Sequence, residues 1–186
     1  MNVLRGERGY SLIEMLIVLS IMSVVMGALT TVFVNASNAE LDMNNRFQAQ
    51  QEARLALDKM RREVHCGSVA TPAGQSSSVT LTLPTYCKTG SGSITWCTRN
   101  VSTNRYALYR VAGSTCTGGV EWADYLVPTS NAAVCSGTLC IFTYTAQSTT
   151  SLAKLHVDFP VNIKPAKSTE LYELADDIVL RNSTRS

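Results

Sequence analysis

Met15–Val34 reads MLIVLSIMSVVMGALTTVFV, twenty residues without a charged side chain. At about 1.5 Å of rise per residue, a helix of that length spans the roughly 30 Å hydrocarbon core of a bilayer. No later stretch approaches this length, so the sequence predicts one membrane segment at most. Before it lies MNVLRGERG, with Arg5, Glu7 and Arg8. Basic residues ahead of a span favour keeping that end in the cytoplasm, which predicts export of the chain beyond the span. The 186 residues include 16 Lys and Arg against 14 Asp and Glu, a formal charge of +2. That balance lacks the clustered basic charge of a nucleic-acid binder. With 45% apolar and 16% charged residues, the chain is neither disordered, nor collagenous, nor polytopic. Six cysteines in one small chain fit an exported domain better than a reducing cytosol.

A cleaved secretory signal is the simpler alternative for this N-terminus. Its apolar core runs about 7–15 residues and ends on small residues, and Val34-Asn35-Ala36 offers such an end. The run here is longer, and Glu14 stands at its head. An ionisable residue in a membrane segment costs about 2.5–3.5 kcal/mol even on the lenient insertion scale for Asp, Lys or Arg. Glu14 is therefore expected to have a function.

Gly9-Tyr10-Ser11-Leu12-Ile13-Glu14, after a short basic leader and before an unbroken apolar run, resembles the N-terminal signature of type IV prepilins and pseudopilins. The resemblance implies that a membrane aspartyl peptidase cuts between Gly9 and Tyr10 and N-methylates Tyr10. Glu14 then stands fifth in the mature chain, one turn from a free α-ammonium. Each charge is costly alone in hydrocarbon, so the two are expected to pair. Pairing within one helix is possible at this spacing. The resemblance implies instead that Glu14 attracts the N-terminal ammonium of a neighbouring subunit and draws it into register during assembly.

The helix is expected to continue beyond the membrane. No proline precedes Pro72, and Gly27 is the lone glycine between Gly9 and Gly67. Residues 40–65 are rich in helix formers, and Ala49, Ala53, Leu57, Met60 and Val64 recur at steps of three and four, which predicts one apolar face. Arg54 with Asp58, Asp58 with Arg62, and Lys59 with Glu63 are spaced as charge pairs of a solvated face. The expected helix runs from Tyr10 to His65, with Gly67 as its stop.

After Gly67 the pattern becomes β. Runs Val79–Leu83, Ile94–Thr98, Tyr106–Val111, Val120–Leu126, Leu139–Thr145 and Leu152–Phe159 favour strands, separated by loop clusters such as Ser76-Ser77-Ser78 and Gly90-Ser91-Gly92-Ser93. A last apolar piece spans Asp177–Asn182. The predicted fold is α+β, a long N-terminal helix whose second half packs on an antiparallel sheet. The expected organisation is a cleaved leader at 1–9, a transmembrane and assembly helix at 10–36, an amphipathic helix at 37–67 and a disulfide-bonded β-rich head at 68–186. Trp96, the strand Tyr106-Ala107-Leu108-Tyr109-Arg110 and the ending Val179-Leu180-Arg181-Asn182 make the head resemble J-type minor pseudopilins or minor pilins.

Six cysteines allow fifteen pairings. Locality favours Cys66 with Cys87, Cys97 with Cys116, and Cys135 with Cys140. Zinc is the rival, but Cys135-x4-Cys140 lacks a partner pair with ligand spacing. His65 and His156 are the two histidines, and no nucleophile elbow, zinc-protease or phosphate-loop motif occurs. Asp176-Asp177 is a candidate calcium pair, although adjacent carboxylates in a surface loop are usually just solvated. No catalytic residue, metal or cofactor is expected.

The resemblance implies a structural subunit of a type IV pilus or type II secretion pseudopilus, placed near the tip. Its implied partners are other pilin or pseudopilin subunits, the prepilin peptidase, the assembly platform and the cytoplasmic membrane, crossed once with the N-terminus inside. The head would lie outside, in a periplasmic or cell-surface filament. A tip module that grips DNA or a surface is the second reading, and a basic aromatic loop would favour it. A membrane-anchored exported enzyme is the third, and would need a cleft with perturbed titrating groups.

Overall fold

The computed structural model describes residues 10–165, 167 and 170–183; Gly9, half of the expected cleavage site, lies outside them. The chain falls into two compact units, Met1–Asn44 and Asn45–Ser186. One helix, α1 (Leu12–Cys66, 55 residues), contributes to both. It begins two residues later than Tyr10 and ends one past His65, as expected of a helix free of proline. In the first unit no residue of its most apolar stretch is buried.

In the second unit the outer part of α1 buries Ala49, Ala53, Ala56, Leu57, Met60 and Val64. The alanines make a smooth stripe that lets helix and sheet approach closely. They join one apolar core with Leu81, Trp96, Leu108, Phe142, Leu155, Phe159 and Ile178. The helix stops where the Gly67 N–H closes on the Glu63 carbonyl at 2.8 Å.

Eleven strands come after it among the described residues: β1 (Val69–Thr71), β2 (Gly74–Ser76), β3 (Ser78–Leu83), β4 (Gly92–Ser102), β5 (Arg105–Ala112), β6 (Val120–Leu126), β7 (Val134–Cys135), β8 (Thr138–Leu139), β9 (Phe142–Thr145), β10 (Lys154–Val161) and β11 (Tyr172–Val179). Nine form one antiparallel sheet in the order β1-β3-β4-β5-β6-β10-β9-β2, with β11 also paired to β10; β7 and β8 make a separate hairpin. β10 is the junction. It pairs along its whole length with β11, while Lys154–Val157 pair with β9 and Val161 pairs with Leu126 of β6. The β5–β6 approach requires glycine at one point. Gly119 has φ +88° and sits so close to Arg110 that a Cβ would come within 2.5 Å of its carbonyl oxygen.

Several expectations are corrected. β1 and β2, three residues each around Pro72, are too short to carry a period-two signal. The run Leu139–Thr145 is broken after Leu139, because Cys140 turns toward the hairpin: its N–H bonds the Ala133 carbonyl and its sulfur is joined to Cys135. The last strand is Tyr172–Val179 rather than Asp177–Asn182, so Asp176 and Asp177 lie in a strand and not in a surface loop. The charge ladder on α1 is only partly a wet face. Lys59 does meet Glu63 at 3.3 Å, but Glu63 is fully buried, and Asp58 pairs with Arg61 at 3.5 Å.

Candidate functional site

The N-terminal apolar segment is built from one polar decision at each turn. The Ser11 carbonyl accepts the N–H of Glu14 at 3.0 Å and of Met15 at 3.2 Å, which closes the first turn. Glu14 stands in that turn, where a carboxylate opposes the positive end of the helix dipole. It is the lone charged residue from Tyr10 to Ala39, and its carboxylate is exposed. Every other side chain from Met15 to Val34 is either apolar or satisfies itself. The hydroxyls of Ser20, Ser23, Thr30 and Thr31 each donate at 2.8 Å to a carbonyl three or four residues earlier. Such back-bonding removes the hydroxyl's cost in hydrocarbon. Tyr10, at the tip, is 78% exposed. The segment therefore presents an apolar rod with one charged group, Glu14, at its head. The segment is long and apolar enough to cross a membrane.

The head holds its own polar centre, at Glu63. One carboxylate oxygen accepts from Arg110 Nε at 2.9 Å and lies 2.8 Å from a second Arg110 nitrogen and 3.3 Å from Lys59 Nζ. The other accepts from Trp96 Nε1 at 2.8 Å. Glu63 and Trp96 are both 0% exposed. Two strands, β4 and β5, thus grip the helix through one buried carboxylate. Trp96 also packs on Trp122, ring centroids 5.9 Å apart. The spacing from Lys59, that of a surface pair, places Glu63 toward water when the sequence is read alone. The opposing signal, that Glu63 lies between Met60 and Val64 of the buried face, is present but weaker.

The remaining candidates have structural partners. The six cysteines form Cys66–Cys87, Cys97–Cys116 and Cys135–Cys140, with Cα atoms 6.0, 6.1 and 5.8 Å apart. The first ties the end of α1 to the turn after β3, and the second ties β4 to the loop after β5. His65 Nδ1 lies 2.9 Å from the Val179 carbonyl, and His156 Nδ1 lies 2.7 Å from Asp177 Oδ1. Asp177 also takes Lys154 at 3.0 Å, and Asp176 takes Arg61 at 2.8 Å. Hydrogen bonds with His156 first and Lys154 second hold the Asp177 carboxyl below its ordinary range. Neither aspartate is an open ligand for calcium. Among the described residues no three His, Cys, Asp or Glu side chains come together as a metal site.

Residues 4–30 match the family model described as the prokaryotic N-terminal methylation motif. No curated protein and no solved structure matches the chain.

Proposed function

We propose that this chain, which carries the prepilin-type N-terminal methylation motif of type IV prepilins and pseudopilins, is a minor structural subunit, placed near the tip of a pilus or of a secretion pseudopilus. The observation that carries the reading is an apolar helix interrupted by Glu14 alone, in register with that motif. Processing after Gly9 would free the α-ammonium of Tyr10 for methylation. The domain limits derive from that use: a leader at 1–9, a membrane and assembly helix at 10–36, an amphipathic part at 37–67 and a head at 68–186. The N-terminus faces the cytoplasm before assembly and the head lies outside.

Glu14 is the assembly contact. A carboxylate in low dielectric attracts an ammonium far more strongly than in water, and a neighbouring subunit leaving the bilayer brings one. The prepilin peptidase, other subunits and the assembly platform are the partners. The even charge of the chain and the J-type resemblance of the head favour a packing role over DNA or surface binding.

Glu14→Gln tests this, since it keeps shape and helix propensity and removes the charge. Processed protein is monitored by immunoblot in membrane and sheared-filament fractions. The expected result is normal cleavage, accumulation in the membrane and reduced filament incorporation. Equal incorporation of the variant and the wild type would reject the intersubunit role of Glu14.

A further inference from the structure

We propose that the side chains of Asp158 and Glu173, facing each other between β10 and β11, share one proton and form a pH-dependent clasp that holds β11 and the 129–132 turn onto the sheet. The inference concerns the head and is independent of the filament reading above.

The register puts the two groups together. Asp158 lies opposite Ala175, and Pro160 lies opposite Glu173, so Asp158 and Glu173 are diagonal neighbours on one face. Asp158 is 3% exposed. Its Oδ1 is sealed from solvent with no hydrogen-bond partner among the described residues, on the face that also carries Glu173. Ionised carboxylates only accept hydrogen bonds, so these two carboxyl groups can bond each other only if one keeps its proton.

The surroundings decide which one keeps it. Asn131 donates to Glu173 Oε1 at 3.1 Å, and Gln75 of β2 donates to the Asn131 carbonyl at 3.3 Å. That chain engages Glu173 Oε1 as an acceptor, which leaves the shared proton to Asp158. On β10 the same face carries Lys154 and His156, and on β11 it carries Asp177, which binds both of them. β9 offers the neutral Thr143 and Thr145 opposite His156 and Lys154. Burial first, then the charge and hydrogen bond of Glu173, raise Asp158 to about 6, and His156 alone works against them. Arg54 and Arg61 of α1 reach Tyr172 and Asp176 of β11, residues of the opposite face in the strand alternation.

A carboxyl whose folded value is raised holds its proton in the fold and loses it in the unfolded chain. Its contribution is complete below the ordinary value of 3.8, declines as pH rises to about 6, and is absent above. Deprotonation puts two negative charges side by side, one of them buried, and the relief is to part β11 from β10. Because β11 also carries Tyr172 and Asp176, that opening would weaken the grip on Arg54 and Arg61.

The test is amide hydrogen exchange on the full chain in detergent micelles from pH 4 to 8, as protection factors corrected for intrinsic rates. In the wild type, protection of Tyr172–Val179 should fall by up to about tenfold per pH unit between 4 and 6, then level off. The amides of Ser78–Leu83 serve as the control and should stay flat. Asp158→Asn should abolish the fall and keep the acid-side protection at pH 8. Should Asp158→Asn fail to fold, Glu173→Gln substitutes for it, and the fall should move toward lower pH. A wild-type β11 profile no steeper than the control, or a fall that persists unchanged in the folded variant, would overturn the proposal.

Discussion

Glu63→Gln should loosen the helix from the sheet by an amount that the geometry bounds. The carboxylate serves four donors on three side chains: two nitrogens of Arg110, Lys59 Nζ and Trp96 Nε1. Glutamine keeps the volume but offers one oxygen for those donors and turns an NH2 group toward the rest. Removing one partner of a buried ion pair costs roughly 3–5 kcal/mol, much of it from the charge left behind. Arg110 and Lys59 are 21% and 20% exposed, so both recover some hydration, and the lower end of that range applies. Trp96 recovers none, because it is fully buried. The expected loss is about 3 kcal/mol, equivalent to a melting temperature lower by about 6–12 °C for a domain of this size. Urea and thermal unfolding of the full chain in detergent, read by tryptophan fluorescence and near-ultraviolet circular dichroism, measure it. A double-mutant cycle with Arg110→Gln should give a coupling above about 1 kcal/mol, as expected of direct partners. If Glu63 behaved as the surface half of an i, i+4 pair, the loss would stay within about 0.5 kcal/mol. A value that small, or additive double-mutant energies, would refute the buried-node reasoning.

Three further outcomes are expected. The mature protein from its native host should begin at N-methylated Tyr10, and Gly9→Val should retain the leader; intact mass that places the start near Ser37 would instead establish secretory cleavage. Intact mass of the exported protein should show three disulfides and no thiol open to alkylation before reduction. Replacing Cys66 and Cys87 together with serine should lower stability by roughly 3 kcal/mol through the freed 21-residue separation, and replacing Cys135 and Cys140 by less; equal losses at the two sites would contradict the loop-entropy account.

The long helix is legible from residues alone because its determinants are local. Helix formers without proline propagate whatever surrounds them, and Ala49, Ala53, Leu57, Met60 and Val64 mark the buried face by spacing. Glu14 stands out for the same reason, as one charge before twenty uncharged residues. Strands β3 to β6 and β10 are visible through their alternation and β-branched content, with both ends of β6 as expected and the others displaced by at most a few residues.

What the residues could not state was which polar groups the fold would enclose. Glu63 has the spacing of a surface partner of Lys59, yet the packing of α1 on β4 and β5 carries it beneath Trp96 and Arg110, 33 and 47 residues away in the chain. Asp158 reads as the wet member of an alternating strand, yet it is 3% exposed on a face where Lys154, His156 and Asp177 stay open to solvent. Asp176 and Asp177 read as a solvated pair, whereas β11 sends their side chains to opposite faces, one to Arg61 and one to His156 and Lys154. Helix periodicity is decided within a few turns, so sequence alone determines it. The burial of a charge depends on partners brought from distant strands, and only the tertiary structure decides that.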